Sequence, residues 1–282
     1  MKAAYPLIGA NRLAQLISAG TACVLDASFH AVSTGRDTRA EFEKGHIPSA
    51  RFFDLVKAAD PKSDLAHTLP SADHFAAFAA SVGAKRDKTV VVYDNTGMAP
   101  SARAWWMLVT FGYTDVQVLD GGLRAWQREG GALEQGWLSP VHQAAEELPQ
   151  PDLRKVSDYR GVQRAIASGQ VVLDARSSAR FHGNAAEPVA GVPSGHISGS
   201  INLPYQELLD EAEGCLAPPS LLRERFERAG VDMRAPVVCS CGSGVTACVL
   251  ALALETLGHP AVTVYDGSWT DWTKRNFQGA PS

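Results

Sequence analysis

Cys241-Gly-Ser-Gly-Val-Thr-Ala247 is the stretch of this chain best suited to chemistry. A β-branched run, Ala235-Pro-Val-Val-Cys-Ser240, leads into it, and an apolar run, Cys248-Val-Leu-Ala-Leu-Ala-Leu-Glu-Thr-Leu257, follows it. Cys241 therefore opens a turn from a strand to a helix. Gly242 and Gly244 let so short a turn curl and aim backbone N–H groups at the sulfur. The start of the following helix adds partial positive charge, which favours the thiolate. With those N–H groups, Val245 and Thr246 complete the ring, and the hydroxyls of Ser243 and Thr246 offer further hydrogen bonds to the sulfur or to the anionic group that delivers it. A thiolate held this way suits attack on a sulfane sulfur and storage of the resulting persulfide anion. The cycle is ping-pong: a donor loads the sulfur and a nucleophilic acceptor removes it. It needs no metal and no cofactor. Core filling is the ordinary fate of a buried cysteine. A position opening a Gly-x-Gly turn at a strand's carboxyl end argues against it here.

The elements that position this turn occur twice. Val24-Leu-Asp-Ala27 returns as Val172-Leu-Asp-Ala175, Gly45-His-Ile47 as Gly195-His-Ile197, and Asp120-Gly-Gly-Leu-Arg-Ala-Trp126 as Asp266-Gly-Ser-Trp-Thr-Asp-Trp272, in the same order and about 150 residues apart. Ala22–Asp26, Thr89–Tyr93 and Val116–Leu119 read as buried strands in the first copy, and Val171–Asp174, Ala235–Ser240 and Ala261–Tyr265 in the second. Ser101–Phe111, Gly122–Arg128 and Val245–Leu257 read as helices. Alternating strands and helices imply an α/β protein, with a mostly parallel sheet flanked by helices in each copy. In such sheets ligands sit beyond the carboxyl ends of the strands, here after Tyr93 and Ser240. The expected division is a first domain over 1–130, a Gly-, Pro-, Gln- and Glu-containing linker over 131–155, and a second domain over 156–282.

The loop Cys241-Gly-Ser-Gly-Val-Thr-Ala247 resembles the active loop of the 3-mercaptopyruvate sulfurtransferase type within the tandem rhodanese family. So do Glu41-Phe-Glu-Lys-Gly-His-Ile-Pro48, Phe52-Phe-Asp54, Leu69-Pro70, Ala104-Trp-Trp-Met107, Leu119-Asp-Gly-Gly122, Gly195-His-Ile197 and Asp266-Gly-Ser-Trp269, spread over nearly the whole chain. The resemblance implies two tandem rhodanese-like domains, the second catalytic and the first lacking its cysteine. Aligning Val91-Val-Tyr-Asp94 with Val238-Cys-Ser-Cys241 puts Asp94 where the nucleophile would stand. It further implies that Arg180 grips the donor's anionic group, either a carboxylate or the outer oxygens of thiosulfate. A second arginine expected nine residues on is Val189 here, which leaves Arg176 or another arginine to replace it. The family's hydroxyl relay would run from Ser243 to His67, but the acidic partner eleven residues before His67 is replaced by Val56, with Asp54, Asp60 and Asp64 nearby in sequence.

Two donors stay open. The loop resembles the mercaptopyruvate type, whereas thiosulfate-specific relatives place basic residues inside it. A cysteine phosphatase would need an arginine closing the loop, where this chain has Ala247. A module that only stores sulfur for a docking partner is the remaining alternative. The acceptor could be cyanide, a small thiol or a thioredoxin-like protein.

Charge and composition set outer limits. With 26 basic and 30 acidic residues mixed along 282 positions, the chain has no basic footprint for nucleic acid. It contains no apolar run long enough for a membrane span, and nothing in its first residues reads as a secretory leader, so the cytoplasm is the expected location. Five cysteines, three within ten residues, read as reduced thiols, with Cys239 facing away from Cys241 and Cys248 packed. His46 and His196, repeated in both copies, read as structural. Trp105, Trp106, Trp126, Trp269 and Trp272 read as core or interface anchors.

Overall fold

The computed structural model describes residues 5–30, 34–138, 141 and 144–277; positions 139–140 and 142–143 of the expected linker lie outside the described residues. The chain forms two compact units. Unit 1 takes the chain up to Pro61, Leu69–Asp152 and Asp210–Leu216; unit 2 takes Lys62–Thr68, Leu153–Leu209 and the chain from Ala217 onward.

In unit 1 the strands are β1 (Leu7–Ile8), β2 (Ala22–Asp26), β3 (Arg51–Phe52), β4 (Thr89–Tyr93) and β5 (Val116–Leu119), in the order β1-β5-β4-β2-β3. In unit 2 they are β6 (Val156–Ser157), β7 (Val171–Asp174), β8 (Ile201–Asn202), β9 (Val237–Ser240) and β10 (Val262–Tyr265), in the order β6-β10-β9-β7-β8. All strand pairs are parallel. The β-branched centre of each sheet is covered on both faces, as parallel sheets require: Val90, Val91, Val92 and Tyr93 of β4 are fully buried. The sheets also share a register. Asp26 pairs with Tyr93 in unit 1, and Asp174 pairs with Ser240 in unit 2.

Helices cover these sheets: α1 (Ala10–Ser18), α2 (Thr38–Lys44), α3 (Leu55–Ala58), α4 (Ala72–Ser81), α5 (Ala99–Thr110) and α6 (Gly122–Arg128) in unit 1, and α7 (Tyr159–Ala167), α8 (Ser178–Phe181), α9 (Pro219–Arg228), α10 (Ala247–Thr256) and α11 (Ser268–Phe277) in unit 2. Local chemistry sets several starts. Asp37, Ser71 and Asp158 accept N–H groups from the first turns of α2, α4 and α7. Helix α10 is apolar all round and is buried from Ala247 to Leu254. Ile8, Leu13, Val24, Ile47, Val91 and Tyr93 share one core face in unit 1, and Val162, Val172, Ile197, Val238, Tyr265 and Trp269 share the matching one in unit 2. Each fully buried Leu, Ile or Val among them contributes roughly 1.5–3 kcal/mol.

The paired histidines have the same work in both units. The Nδ1 of His46 donates to the Phe42 carbonyl at 2.9 Å and its ring stacks on Phe42, while the Nδ1 of His196 donates to the Phe181 carbonyl at 3.0 Å and stacks on Phe181. Trp105, Trp106, Trp126 and Trp269 are buried. Trp137 differs: it stands 44% exposed.

Candidate active site

The loop after β9 hangs from backbone bonds at both ends. The Ala175 N–H donates to the Ser240 carbonyl at 2.9 Å, and at the start of α11 the Trp269 N–H donates to the Cys241 carbonyl at 3.0 Å. Thr270 holds the next carbonyl, that of Gly242, through its N–H at 3.1 Å and its hydroxyl at 2.8 Å. Cys241 is therefore fixed between the sheet and a helix N-terminus. It is 1% exposed, while Gly242, Ser243, Val245 and Thr246 form a half-buried rim. Helix α10 begins at Ala247, later than the sequence pattern suggested, so Val245 and Thr246 belong to the loop.

The sulfur is met by one N–H donor and flanked by one hydroxyl. The Gly244 N–H points at the Cys241 Sγ from 3.1 Å, a geometry that Gly244 reaches with a left-handed φ of 80°. The Ser268 Oγ lies 3.8 Å from the Sγ and also accepts the Cys241 N–H at 3.0 Å. With a neutral thiol, its single proton is best placed on the Tyr265 carbonyl at 2.8 Å. Ser268 holds a left-handed φ of 50°, an uncommon conformation for a residue with a side chain. Sequence reasoning passed over it; the available signal was that Asp120-Gly-Gly122 in one copy becomes Asp266-Gly-Ser268 in the other.

Unit 1 shows what its version of this loop does with a resident anion. Its backbone follows the same plan: the Ala27 N–H donates to the Tyr93 carbonyl at 2.8 Å, and the Leu123 N–H donates to the Asp94 carbonyl at 3.0 Å. Asp94 thus stands at the position of Cys241. One carboxylate oxygen accepts the N–H groups of Thr96, Gly97 and Met98 and the Thr96 hydroxyl, and the other accepts the Ser101 N–H. The loop is saturated by its own side chain. Asp94→Ala is expected to strand these donors and destabilise unit 1 by about 3 kcal/mol or more in a urea melt, with Asp94→Asn retaining part of the loss.

Arg180 lies over the catalytic loop. Its Nη2 is 2.7 Å from where a Cβ on Gly242 would stand, so the second residue of the loop must lack a side chain for the guanidinium to occupy that place. The same guanidinium is clamped by Glu187, through Nε at 3.2 Å and Nη2 at 2.5 Å. Glu187 also accepts from the Arg176 Nη1 at 2.8 Å. Arg176 is not the replacement for an arginine at position 189. It is fully buried, binds Asp174 through Nε and Nη2, and donates to the Gly195 carbonyl at 2.9 Å. Val189 itself is 45% exposed. Asp174, Arg176, Arg180 and Glu187 thus form a chain of alternating charge that sums to zero, and only Arg180, 25% exposed, reaches solvent. Glu187 was not legible as a site residue; a lone acid seven residues after Arg180 gave no motif.

The proposed relay is less complete. Lys62–Thr68, with His67, belongs to the compact unit that holds Cys241. Among the described residues no hydrogen bond joins Ser243 to His67. Val56, at the place of the acidic partner, is exposed on α3. Of the nearby acids, Asp54 caps α3 and Asp64 pairs with Lys274 at 3.0 Å. No group of His, Cys, Asp and Glu suited to a metal occurs among the described residues.

The rhodanese-like domain family matches the chain twice, over residues 10–129 and 159–275. The chain is 40% identical over 255 residues to the human 3-mercaptopyruvate sulfurtransferase, covering 89% of this chain and 85% of the relative. It is 38% identical over 274 residues to the thiosulfate sulfurtransferase of Cricetulus griseus, covering 94% and 91%. Its fold superposes on the 3-mercaptopyruvate sulfotransferase SseA of Escherichia coli with a TM-score of 0.83 and 37% identity, covering 94% of this chain and 99% of that one. Two matching sheets, a cysteine loop in the second and a carboxylate in its place in the first accompany these likenesses: the chain belongs to the rhodanese-like family, with two such domains in tandem.

Proposed function

We propose that this chain is a sulfurtransferase that takes a sulfur from 3-mercaptopyruvate, with thiosulfate as a second donor, and passes it to a nucleophilic acceptor through a persulfide on Cys241. The observation that carries this reading is the Gly244 N–H on the Cys241 Sγ, with the Arg180 guanidinium over Gly242 beside it. One group holds a sulfur anion and the other is placed for the donor's charge. The relatives supply the donor names: one is called a 3-mercaptopyruvate sulfurtransferase and another a thiosulfate sulfurtransferase.

The first half-reaction forms an S–S bond between the Cys241 thiolate and the donor sulfur while the donor's own bond to that sulfur breaks. From mercaptopyruvate the C–S bond breaks, the enolate of pyruvate leaves, and the proton of the donor thiol ends on the enolate carbon. From thiosulfate the S–S bond breaks and sulfite leaves. The second half-reaction returns the thiolate, with thiocyanate formed when cyanide is the acceptor. The Gly244 N–H holds the sulfur, and the Ser268 hydroxyl can turn from the Tyr265 carbonyl toward it as negative charge accumulates there. A Ser243–His67 relay for the proton is supported by the grouping of Lys62–Thr68 with the unit that holds Cys241.

Glu187 makes donor binding an exchange, because the donor anion must share or displace it on Arg180. Glu187→Gln is expected to lower the donor KM about threefold to tenfold by freeing that charge. It should also cost about 3 kcal/mol of stability, since the fully buried Arg176 loses a carboxylate. Steady-state kinetics and a thermal melt on the same variant separate the two effects.

For the acceptor, a small thiol, cyanide or a thioredoxin-like protein all suit a persulfide that extends from the buried Cys241 toward a half-buried rim. A reducing compartment such as the cytoplasm suits five free cysteines, although one plant relative is named as mitochondrial. No helix among the described residues is long and apolar enough to cross a membrane.

The deciding measurement compares kcat/KM for the two donors with cyanide as acceptor. Mercaptopyruvate should lead. Silence with both donors, in protein with Cys241 reduced, would leave the docking module instead.

A further inference from the structure

In each unit the first turn of a helix, α6 in unit 1 and α11 in unit 2, meets the carbonyls of the loop that follows the central strand. The N–H groups of such a turn have no partner within their own helix and are free to bind elsewhere. The matching bonds, Leu123 N–H to the Asp94 carbonyl and Trp269 N–H to the Cys241 carbonyl, set Arg124 opposite Thr270 and Asn95 opposite Gly242. One residue on, the two units part. Thr270 holds the Gly242 carbonyl through its N–H at 3.1 Å and its hydroxyl at 2.8 Å. Among the described residues Arg124 gives the Asn95 carbonyl no such bond, and its guanidinium donates to the Ala212 carbonyl instead.

Unit 1 orders its loop from inside, because the Asp94 carboxylate draws the N–H groups of Thr96, Gly97 and Met98 onto itself. In unit 2 the thiol is a weak acceptor and takes only the Gly244 N–H. Ser243 and Val245 stand where Thr96 and Met98 stand, and their N–H groups have no partner among the described residues. Gly242 loosens the loop further, since Arg180 excludes a Cβ there and glycine restrains its own backbone least of all residues. The Gly242–Ser243 peptide must therefore be oriented from outside the loop. A trans peptide carries its N–H opposite its C=O. With the Gly242 carbonyl pinned on α11, the Ser243 N–H is turned away from α11, as the Thr96 N–H is turned onto Asp94 in unit 1.

We propose that Thr270 is a positioning residue for sulfur transfer, on the reading of Cys241 as the sulfur carrier: it holds the Gly242–Ser243 peptide so that the Ser243 N–H meets the outer sulfur of the persulfide. The resting thiol has one sulfur and engages Gly244 alone. Loading adds a second sulfur, which carries the negative charge and reaches the N–H groups that the thiol leaves open. Thr270 acts through the loop backbone, with its hydroxyl committed to the Gly242 carbonyl.

The test removes the hydroxyl alone. Thr270→Val keeps the shape and the N–H, whereas Thr270→Ser keeps the hydroxyl and loses a methyl group. The full chain and both variants are mixed with the preferred donor without acceptor, quenched at intervals, and weighed for the sulfur atom gained on Cys241. Thr270→Val should load about threefold to tenfold more slowly at saturating donor, with the donor concentration for half-maximal rate within about twofold of native, since Arg180 is untouched. Thr270→Ser should load at the native rate. A loss of packing would follow the methyl group instead and slow Thr270→Ser. Native loading by Thr270→Val overturns the proposal, and so does a Thr270→Ser variant as slow as Thr270→Val. A native chain that gains no sulfur from either donor overturns the reading of Cys241 itself, and this inference with it. Should Thr270→Val fail to fold in a thermal melt, Thr270→Ala, which also lacks the hydroxyl, decides in its place.

Discussion

Cys241→Ser is expected to lower sulfur transfer by at least about 10⁴-fold with either donor, because a serine oxygen cannot take up a sulfane sulfur and hand it on. The substitution should be structurally mild. The side chain keeps its size, the Gly244 N–H finds an oxygen in place of sulfur, and the Cys241 N–H and carbonyl bonds to Ser268 and Trp269 are untouched. Single-turnover mass spectrometry gives the sharper readout. After exposure to donor without acceptor, the native chain should gain about 32 Da, one sulfur atom, and the variant nothing. Turnover surviving in Cys241→Ser would remove the persulfide from the mechanism.

Arg180→Ala should raise the donor KM about 100-fold while changing kcat far less. The argument rests on what remains once the guanidinium is gone. Arg176 is locked beneath Asp174 and Glu187, and Val189 brings no charge, so no second cation of this cluster can take over the donor's anion. Glu187 would then face the loop without its outer partner, and its carboxylate would repel the same anion. Melting should shift less than for Glu187→Gln, since Arg180 is the end of the cluster that reaches solvent and the buried Glu187 keeps its bond to Arg176. A fall in kcat as large as the rise in KM would instead mean that Arg180 acts on the transition state.

The long features of this fold were legible because they repeat and because buried parallel strands leave continuous apolar runs. Strands β2, β4, β5 and β7 lie where the β-branched runs place them, and β9 and β10 lose only their first residues, at Ala235-Pro236 and Ala261. Pro236 lacks the N–H a ladder needs. Strands β1, β3, β6 and β8 were invisible: each has two residues, too few for any period to register. At the site, Cys241, Gly242, Gly244 and Arg180 could be named from the chain because turn chemistry and family resemblance point at them. Ser268 left only the mismatch of the two copies, Gly122 against Ser268, as a signal, and Glu187 left none, since each reaches the site from another stretch of chain and carries no spacing relative to the cysteine. The charge cluster at Arg176 is a product of tertiary burial, which a linear pattern does not record.

Helix α10 has a consequence for how the protein fails. The loop that holds the sulfur is continuous with a helix apolar on every side, and Cys248-Val-Leu-Ala-Leu-Ala-Leu254 is a run without a single charge. Such a segment stays out of water only while unit 2 is folded; once released it favours self-association. Heat inactivation is then not a gradual loosening of the active loop but an irreversible step, timed by the rate at which unit 2 opens and worsened by protein concentration. The same tether makes this helix a natural target for chaperones that recognise bare apolar chain.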